Sequence, residues 1–231
     1  MHKDHRSRVK NRFLAEGLDH FEPHNILELL LFYAIPQKDT NELAHTLINR
    51  FGSLAGVFDA SVDELMTVPG IKEHSAVLIK MIPSLARVYS IEKNKIGEAL
   101  TSTEAWGEYF VSRYIGLKVE TVFLLLLDNK FNVIDCVKLH EGDVNSASFS
   151  MRKMVEIIYA KNAPMVVLAH NHPSGIAIPS PEDLATTQAM MQSFRLLDIR
   201  LLGHIIVAGD QYIDILDPKN KVKLSYPRSM F

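Results

Sequence analysis

The passage that most constrains this chain lies at residues 165–183. It reads Met165-Val166-Val167-Leu168-Ala169, then His170-Asn171-His172-Pro173-Ser174-Gly175, and after a short gap Ser180-Pro181-Glu182-Asp183. Five apolar, partly β-branched residues halted by a Pro-Ser-Gly cluster predict a buried strand, with the two histidines at its end. Residues two apart on a strand share a face, with alpha carbons about 6.5 Å apart. His170 and His172 can therefore converge on one ion while Asn171 points the other way. Pro173 cannot donate to a ladder and helps end the strand.

Beyond the loop, a serine at the N-cap, a proline at the first helical position and an acid three residues after the cap predict a helix, with Leu184, Met191, Phe194 and Leu197 near one face. Helix-start chemistry alone accounts for Ser180 and Asp183. A single histidine at a strand end is ordinarily a hydrogen-bonded polar residue. A same-face pair with a nearby carboxylate tips the balance toward a metal, because three nitrogen and oxygen ligands with a fourth position left to water is the usual arrangement of catalytic zinc. The chain has one cysteine, Cys136, which excludes a thiolate-rich structural zinc site.

The spacing His170-x-His172, seven residues, Ser180, two residues, Asp183 resembles the metal-binding signature of the JAB/MPN (JAMM) metalloproteases. The wording Ala169-His170-Asn171-His172-Pro173-Ser174-Gly175 and Pro179-Ser180-Pro181-Glu182-Asp183-Leu184 is similar to the bacterial RadC family within them. The resemblance implies an α/β fold, a JAB/MPN-like mixed sheet with flanking helices, preceded by a small all-α helix-hairpin-helix domain. It implies a JAMM-type metallopeptidase that hydrolyses amide or isopeptide bonds in a protein or peptide substrate. One zinc ion per chain is expected on His170, His172 and Asp183, though residue types alone also admit Mn or Fe. In the family the general base is a glutamate just before the first apolar strand, and Glu120 matches it here. Ser180 is expected to donate to the oxyanion. The chain departs from the family where relatives commonly have Gly-Thr-Leu-Asn and His-Pro-Arg-Glu. It has Gly142-Asp143-Val144-Asn145 and Ser150-Met151-Arg152-Lys153, a difference that bears on substrate preference rather than on metal binding.

At 231 residues the chain is long enough for one large domain or two small ones. The expected division is a helical domain at 1–95, a linker at 96–105 and a metal-binding domain at 106–231, since periodicity is lost and polar residues gather around 91–102. The formal net charge of -2 supplies no global attraction for nucleic acid. A lone cysteine suits a reducing compartment. Residues 1–10 lack the apolar core of a signal peptide, and the longest apolar runs, such as 122–127, are too short to span a bilayer. The expectation is a cytoplasmic protein with no membrane segment.

In chain order, residues 1–12 carry five basic groups against one acid and read as a frayed, solvated terminus. A helix is expected over 25–35, closed by Pro36, and another from 39–42 with Leu43, Leu47 and Ile48 inward and Gly52 as its stop. Ser61-Val62-Asp63-Glu64 matches a capping box. Val68-Pro69-Gly70-Ile71-Lys72 then opens a long helical run, in which Pro83 predicts a kink or a break. This turn resembles the helix-hairpin-helix that grips DNA backbone, with Gly70, Ile71 and Lys72 as candidate nucleic-acid contacts, because exposed N–H groups at a helix start can hold phosphate. Glu73 beside them weakens such a site.

Farther on, the aromatic stripe Trp106, Tyr109, Phe110 and Tyr114 reads as core, and the stretches at 120–128 and 132–139 as a hairpin. Residues 140–146 read as a loop in which His140 and Glu141 are rival base or ligand candidates. A helix over 150–159 should follow. The stretch 200–207 reads as a strand, with His204 a satisfied core histidine or a support behind a ligand, and 212–216 as its partner after a turn. Two other functional classes stand beside the hydrolase. One is a DNA-binding, repair-associated module whose metal site is structural or vestigial. The other is a metal-dependent nuclease, disfavoured because such sites gather several carboxylates around two metals.

Overall fold

The computed structural model describes residues 2–36, 38–93, 99–142 and 150–219. The chain forms two compact units, Met1–Ala86 and Arg87–Phe231. The expected linker overlaps residues 94–98, which lie outside the described residues, as does the basic tail beyond Lys219.

The first unit is helical, with α1 (His2–Glu16), α2 (Pro23–Ala34), α3 (Asn41–Phe51), α4 (Leu54–Asp59), α5 (Val62–Met66) and the first part of α6 (Glu73–Lys93). Its core gathers Leu27, Leu31, Ala44, Leu47, Val57, Leu65, Ile71, Ala76 and Ile79. Gly52 closes α3 in the left-handed region at φ 80°, and Ser61 and Glu64 complete the capping box. The helix α6 runs on through Pro83 to Lys93, so of the expected kink or break, a break does not occur. One proline removes a single ladder bond, and the helical run on both sides of it continues the element.

The N-terminus is also a correction, since residues expected to fray form α1. It docks by polar contacts: His5 Nε2 lies 2.7 Å from the buried Glu28 Oε1, Arg6 donates to Ile35 O at 2.6 Å, and the Arg6 guanidinium sits 4.5 Å over the Phe32 ring. A helix held this way carries little apolar periodicity for a sequence reading to detect.

The second unit holds α7 (Thr103–Tyr114), β1 (Thr121–Leu127), β2 (Val133–Glu141), α8 (Met151–Ala160), β3 (Met165–Asn171), α9 (Pro181–Arg195), β4 (Arg200–Ala208) and β5 (Gln211–Asp214). The sheet runs β2-β1-β3-β4-β5; β3 and β4 are parallel and the other pairs antiparallel. Side-chain alternation divides the core into two layers. Phe123, Leu125, Leu127, Val167 and Ala169 pack with the aromatic residues of α7. Val122, Leu124, Leu126, Val166 and Leu168 pack with Met154 and Ile158 of α8 and Met190 and Phe194 of α9. The strand β3, buried along its whole length, is central. His140 and Glu141, expected in a loop, belong to β2 and pair with Val122 and Thr121; cross-strand pairing extends the hairpin beyond its apolar run. Of the two departures from the family wording, residues 143–145 fall outside the described residues, and Ser150-Met151-Arg152-Lys153 forms the N-cap and first turn of α8.

Candidate metal centre

The strand β3 brings His170 and His172 to the end of the sheet on the face covered by α9. Leu168 packs in the α8/α9 layer, and His170, two residues on, shares its side. The antiparallel register sets Val122 opposite His170, and Glu120, two residues before Val122, shares that face. The third element is the start of α9. Ser180 and Asp183 form a reciprocal capping box: Asp183 N–H donates to Ser180 Oγ at 3.1 Å, while Ser180 N–H and Oγ–H each donate to Asp183 Oδ2 at 2.8 Å. The cap chemistry expected for these residues therefore also fixes the orientation of the carboxylate.

Three polar groups converge. His170 Nε2 and His172 Nε2 are 3.0 Å apart, Asp183 Oδ1 lies 3.1 Å from His170 Nε2, and Asp183 Oδ2 lies 3.5 Å from His172 Nε2. Glu120 also reaches the pair: one carboxylate oxygen and a nitrogen from each histidine lie within 4.8 Å of one another, a group able to hold a metal ion. His172 Nδ1 is 2.9 Å from Ile176 O. A backbone carbonyl only accepts, so the proton of neutral His172 sits on Nδ1 and its Nε2 lone pair faces the other groups. A donor set of two imidazoles with one or two carboxylates fits a divalent ion of zinc type.

Burial raises the Glu120 pKa, and the neighbouring histidines only partly offset it. Burial also works against the Asp183 anion, but the hydrogen bonds that His170 and His172 donate from Nε2 in their charged forms prevail and hold that carboxyl far below its ordinary range. The hydrogen bond to Asp183 is the largest influence on His172 and raises its pKa. His204, which is 1% exposed, is driven well below the histidine range by desolvation.

Two supports are not evident from sequence motifs. Asn171, on the opposite face of β3, accepts from Thr121 N–H at 2.8 Å and donates to Val119 O at 3.2 Å, clamping the backbone on both sides of Glu120. Thr187 contacts His204, which in turn contacts His170. The available signals were the alternation that turns Asn171 away from the histidines and the four-residue spacing that sets Thr187 one helical turn after Asp183. His140 lies in β2 beside Val122 and contributes to the field at Glu120 as the smallest of its influences. The exposed Lys138–Glu141 pair engages Glu141.

Gly70 sits far from this centre in sequence, in the helical unit, and adopts φ 99°, which favours glycine. In the same turn Ile71 N–H donates to Val68 O at 3.0 Å and Lys72 N–H to Ser75 Oγ at 2.9 Å, so both amides are engaged within the turn.

The RadC-like JAB domain family matches residues 100–220. Relatives cover nearly the whole chain. A UPF0758 protein of Fusobacterium nucleatum is 30% identical across 92% of this chain and 95% of its own length. One of Bordetella petrii is 33% identical across 91% and 93%, and one of a Janthinobacterium species is 32% identical across 87% and 90%. Among the described residues no helix is long and apolar enough to cross a membrane. The match spans the sheet and the helix α9, which together position the converging side chains, and by it the chain belongs to the RadC-like JAB domain family.

Proposed function

We propose that this protein is a metal-dependent hydrolase of amide or isopeptide bonds, of the JAMM type, acting on a protein or peptide in the cytoplasm. One zinc ion per chain is held by His170, His172 and Asp183, with Glu120 left as general base. The observation that carries this reading is the triangle of 3.0, 3.1 and 3.5 Å among the two Nε2 atoms and the Asp183 oxygens. Ligands at 2.0–2.1 Å in a tetrahedron stand roughly 3.3 Å from one another. Asp183 thus supports the third ligand position better than Glu120, whose oxygen is bounded only by the 4.8 Å limit.

An ion in this position lowers the pKa of a bound water to about 7 and polarises a substrate carbonyl. Glu120 accepts the nucleophile's proton and passes it to the leaving amine; its partial burial and raised pKa suit a group that must both take and give a proton. Ser180 supplies an oxyanion donor once its hydroxyl hydrogen turns away from Asp183 Oδ2, and the Ser180 N–H still holds that oxygen.

The second reading, a DNA-associated module with a structural or vestigial metal, rests on the turn at Gly70, Ile71 and Lys72. The internal use of the Ile71 and Lys72 amides ranks it below the hydrolase. Metal analysis of the purified chain and cleavage of a peptide library with and without chelator test the choice. Chelator-sensitive cleavage is expected. Stoichiometric metal with no cleavage, together with salt-sensitive duplex binding, favours the module.

A further inference from the structure

Behind His170 runs a buried line of hydrogen bonds that ends on the same helix turn as Asp183. His170 Nδ1 is 3.0 Å from His204 Nε2, His204 Nδ1 is 2.6 Å from Thr187 Oγ1, and Thr187 Oγ1 is 2.6 Å from Asp183 O. His170, His204 and Thr187 are 3%, 1% and 0% exposed, so bulk water is kept from substituting for any link.

The direction of the line follows from its last member. Two oxygens 2.6 Å apart need a hydrogen between them, and a backbone carbonyl has none to give. The single Thr187 hydroxyl hydrogen therefore points to Asp183 O. Thr187 Oγ1 can then only accept from His204, which places the proton of the neutral His204 ring on Nδ1 and leaves a lone pair on Nε2. The 3.0 Å contact to His170 then requires a proton on His170 Nδ1, so in the neutral ring Nε2 carries a lone pair 3.0 Å from His172 Nε2 and 3.1 Å from Asp183 Oδ1, three acceptors with no hydrogen among them that a cation would satisfy.

We infer that Thr187 and His204 are positioning residues that lock His170 in the Nδ1–H tautomer and so present its Nε2 lone pair to a divalent cation. The inference rests on the reading of His170 as a metal ligand. The same line ties the ring on β3 to the backbone of Asp183 on α9, so tautomer and helix placement are set together. Without the threonine hydroxyl the preference reverses. His204 Nδ1 faces an apolar group, its proton moves to Nε2 and donates to His170 Nδ1, and the His170 proton is driven to the Nε2 that a cation needs.

The test uses the full chain and the variants Thr187→Val, nearly isosteric and apolar, and Thr187→Ser, which restores the hydroxyl. Long-range nitrogen–proton correlation spectra of the metal-free proteins, recorded over a pH series up to the point where the ring-nitrogen shifts no longer change, read the tautomers of the neutral rings directly. Zinc affinity is measured by competition with a chromogenic chelator. Wild type and Thr187→Ser are expected to hold His170 and His204 as Nδ1–H. Thr187→Val should convert both to Nε2–H and weaken zinc by about 10- to 100-fold, the range for lost support behind a ligand. An unchanged His170 tautomer in folded Thr187→Val overturns the inference, and so does weakened zinc that Thr187→Ser fails to restore. A wild type that binds no zinc overturns the metal reading, and the tautomer spectra then still decide the relay by the same criterion. Should Thr187→Val not fold, Thr187→Ala, which also removes the hydroxyl, carries the same comparison of the His170 tautomer.

Discussion

Asn171, the residue between the two histidines, accepts the backbone N–H of Thr121 at 2.8 Å, so one strand end holds both the histidines and the segment that carries Glu120. The same side chain donates to Val119 O. Replacing Asn171 by Ala leaves the buried Thr121 N–H without its partner, at roughly 1–3 kcal/mol, while Val119 O keeps the Thr121 hydroxyl at 3.1 Å. A loss of about 1–3 kcal/mol in denaturant unfolding is expected, with zinc affinity changed less than by loss of a histidine. A stability loss below about 0.5 kcal/mol would mean that the clamp is dispensable.

Substitution of both His170 and His172 by Ala removes two of three proposed ligands. Bound metal should fall from about one equivalent per chain to near none by elemental analysis. Full retention in the double variant sinks the assignment.

Glu120→Gln separates a base from a ligand. The amide keeps the size but cannot accept the proton, so zinc content and folding should be unchanged while turnover of a peptide substrate drops roughly 10²–10⁴-fold. The pH dependence has a defined sign. Glu120 works as a base only when ionised, so kcat/KM falls as pH drops through its pKa, and burial raises that pKa. This acid limb should vanish in Glu120→Gln. Loss of zinc along with activity would reassign Glu120 as a ligand, an arrangement its proximity to both histidines also allows.

Gly107 in α7 tests the packing that carries the sheet. A Cβ built there would come 2.2 Å from the Tyr212 ring of β5. Gly107→Ala should therefore destabilise by about 1–3 kcal/mol through overpacking, despite the better helix propensity of alanine. In a Tyr212→Ala background the same change should become neutral or stabilising by up to about 1 kcal/mol. Equal costs in both backgrounds would show that the ring is not the obstacle.

Much of the second unit was legible from local pattern. Residues 165–169 are apolar because β3 is covered on both faces, and the Ser180-Pro181-Glu182-Asp183 start of α9 is local cap chemistry that forms as written. The reach of β2 to Glu141 was not legible, because its last residues are held by pairing with Thr121 and Val122 rather than by their own apolarity. Nor was α1, whose docking depends on His5 finding Glu28 and Arg6 finding the end of α2. Polar contacts between residues more than twenty positions apart leave no period in the chain.

By itself, then, the sequence determined the elements with strong local signals, the shared face of His170 and His172, the helix start at Ser180 and the absence of thiolates for a closed zinc site. These follow from backbone geometry over a few residues. The family resemblance named Asp183 and Glu120, but only the tertiary structure decided how closely these carboxylates meet the histidines. The register of β1 against β3 sets Glu120 on the histidine face, and the packing of α9 on that face brings Asp183 to 3.1 Å from His170 Nε2. It also decided that His204 and Thr187 stand behind His170. Such placements are fixed by long-range packing of the sheet against its helices, and the spacing of residues along the chain does not specify them.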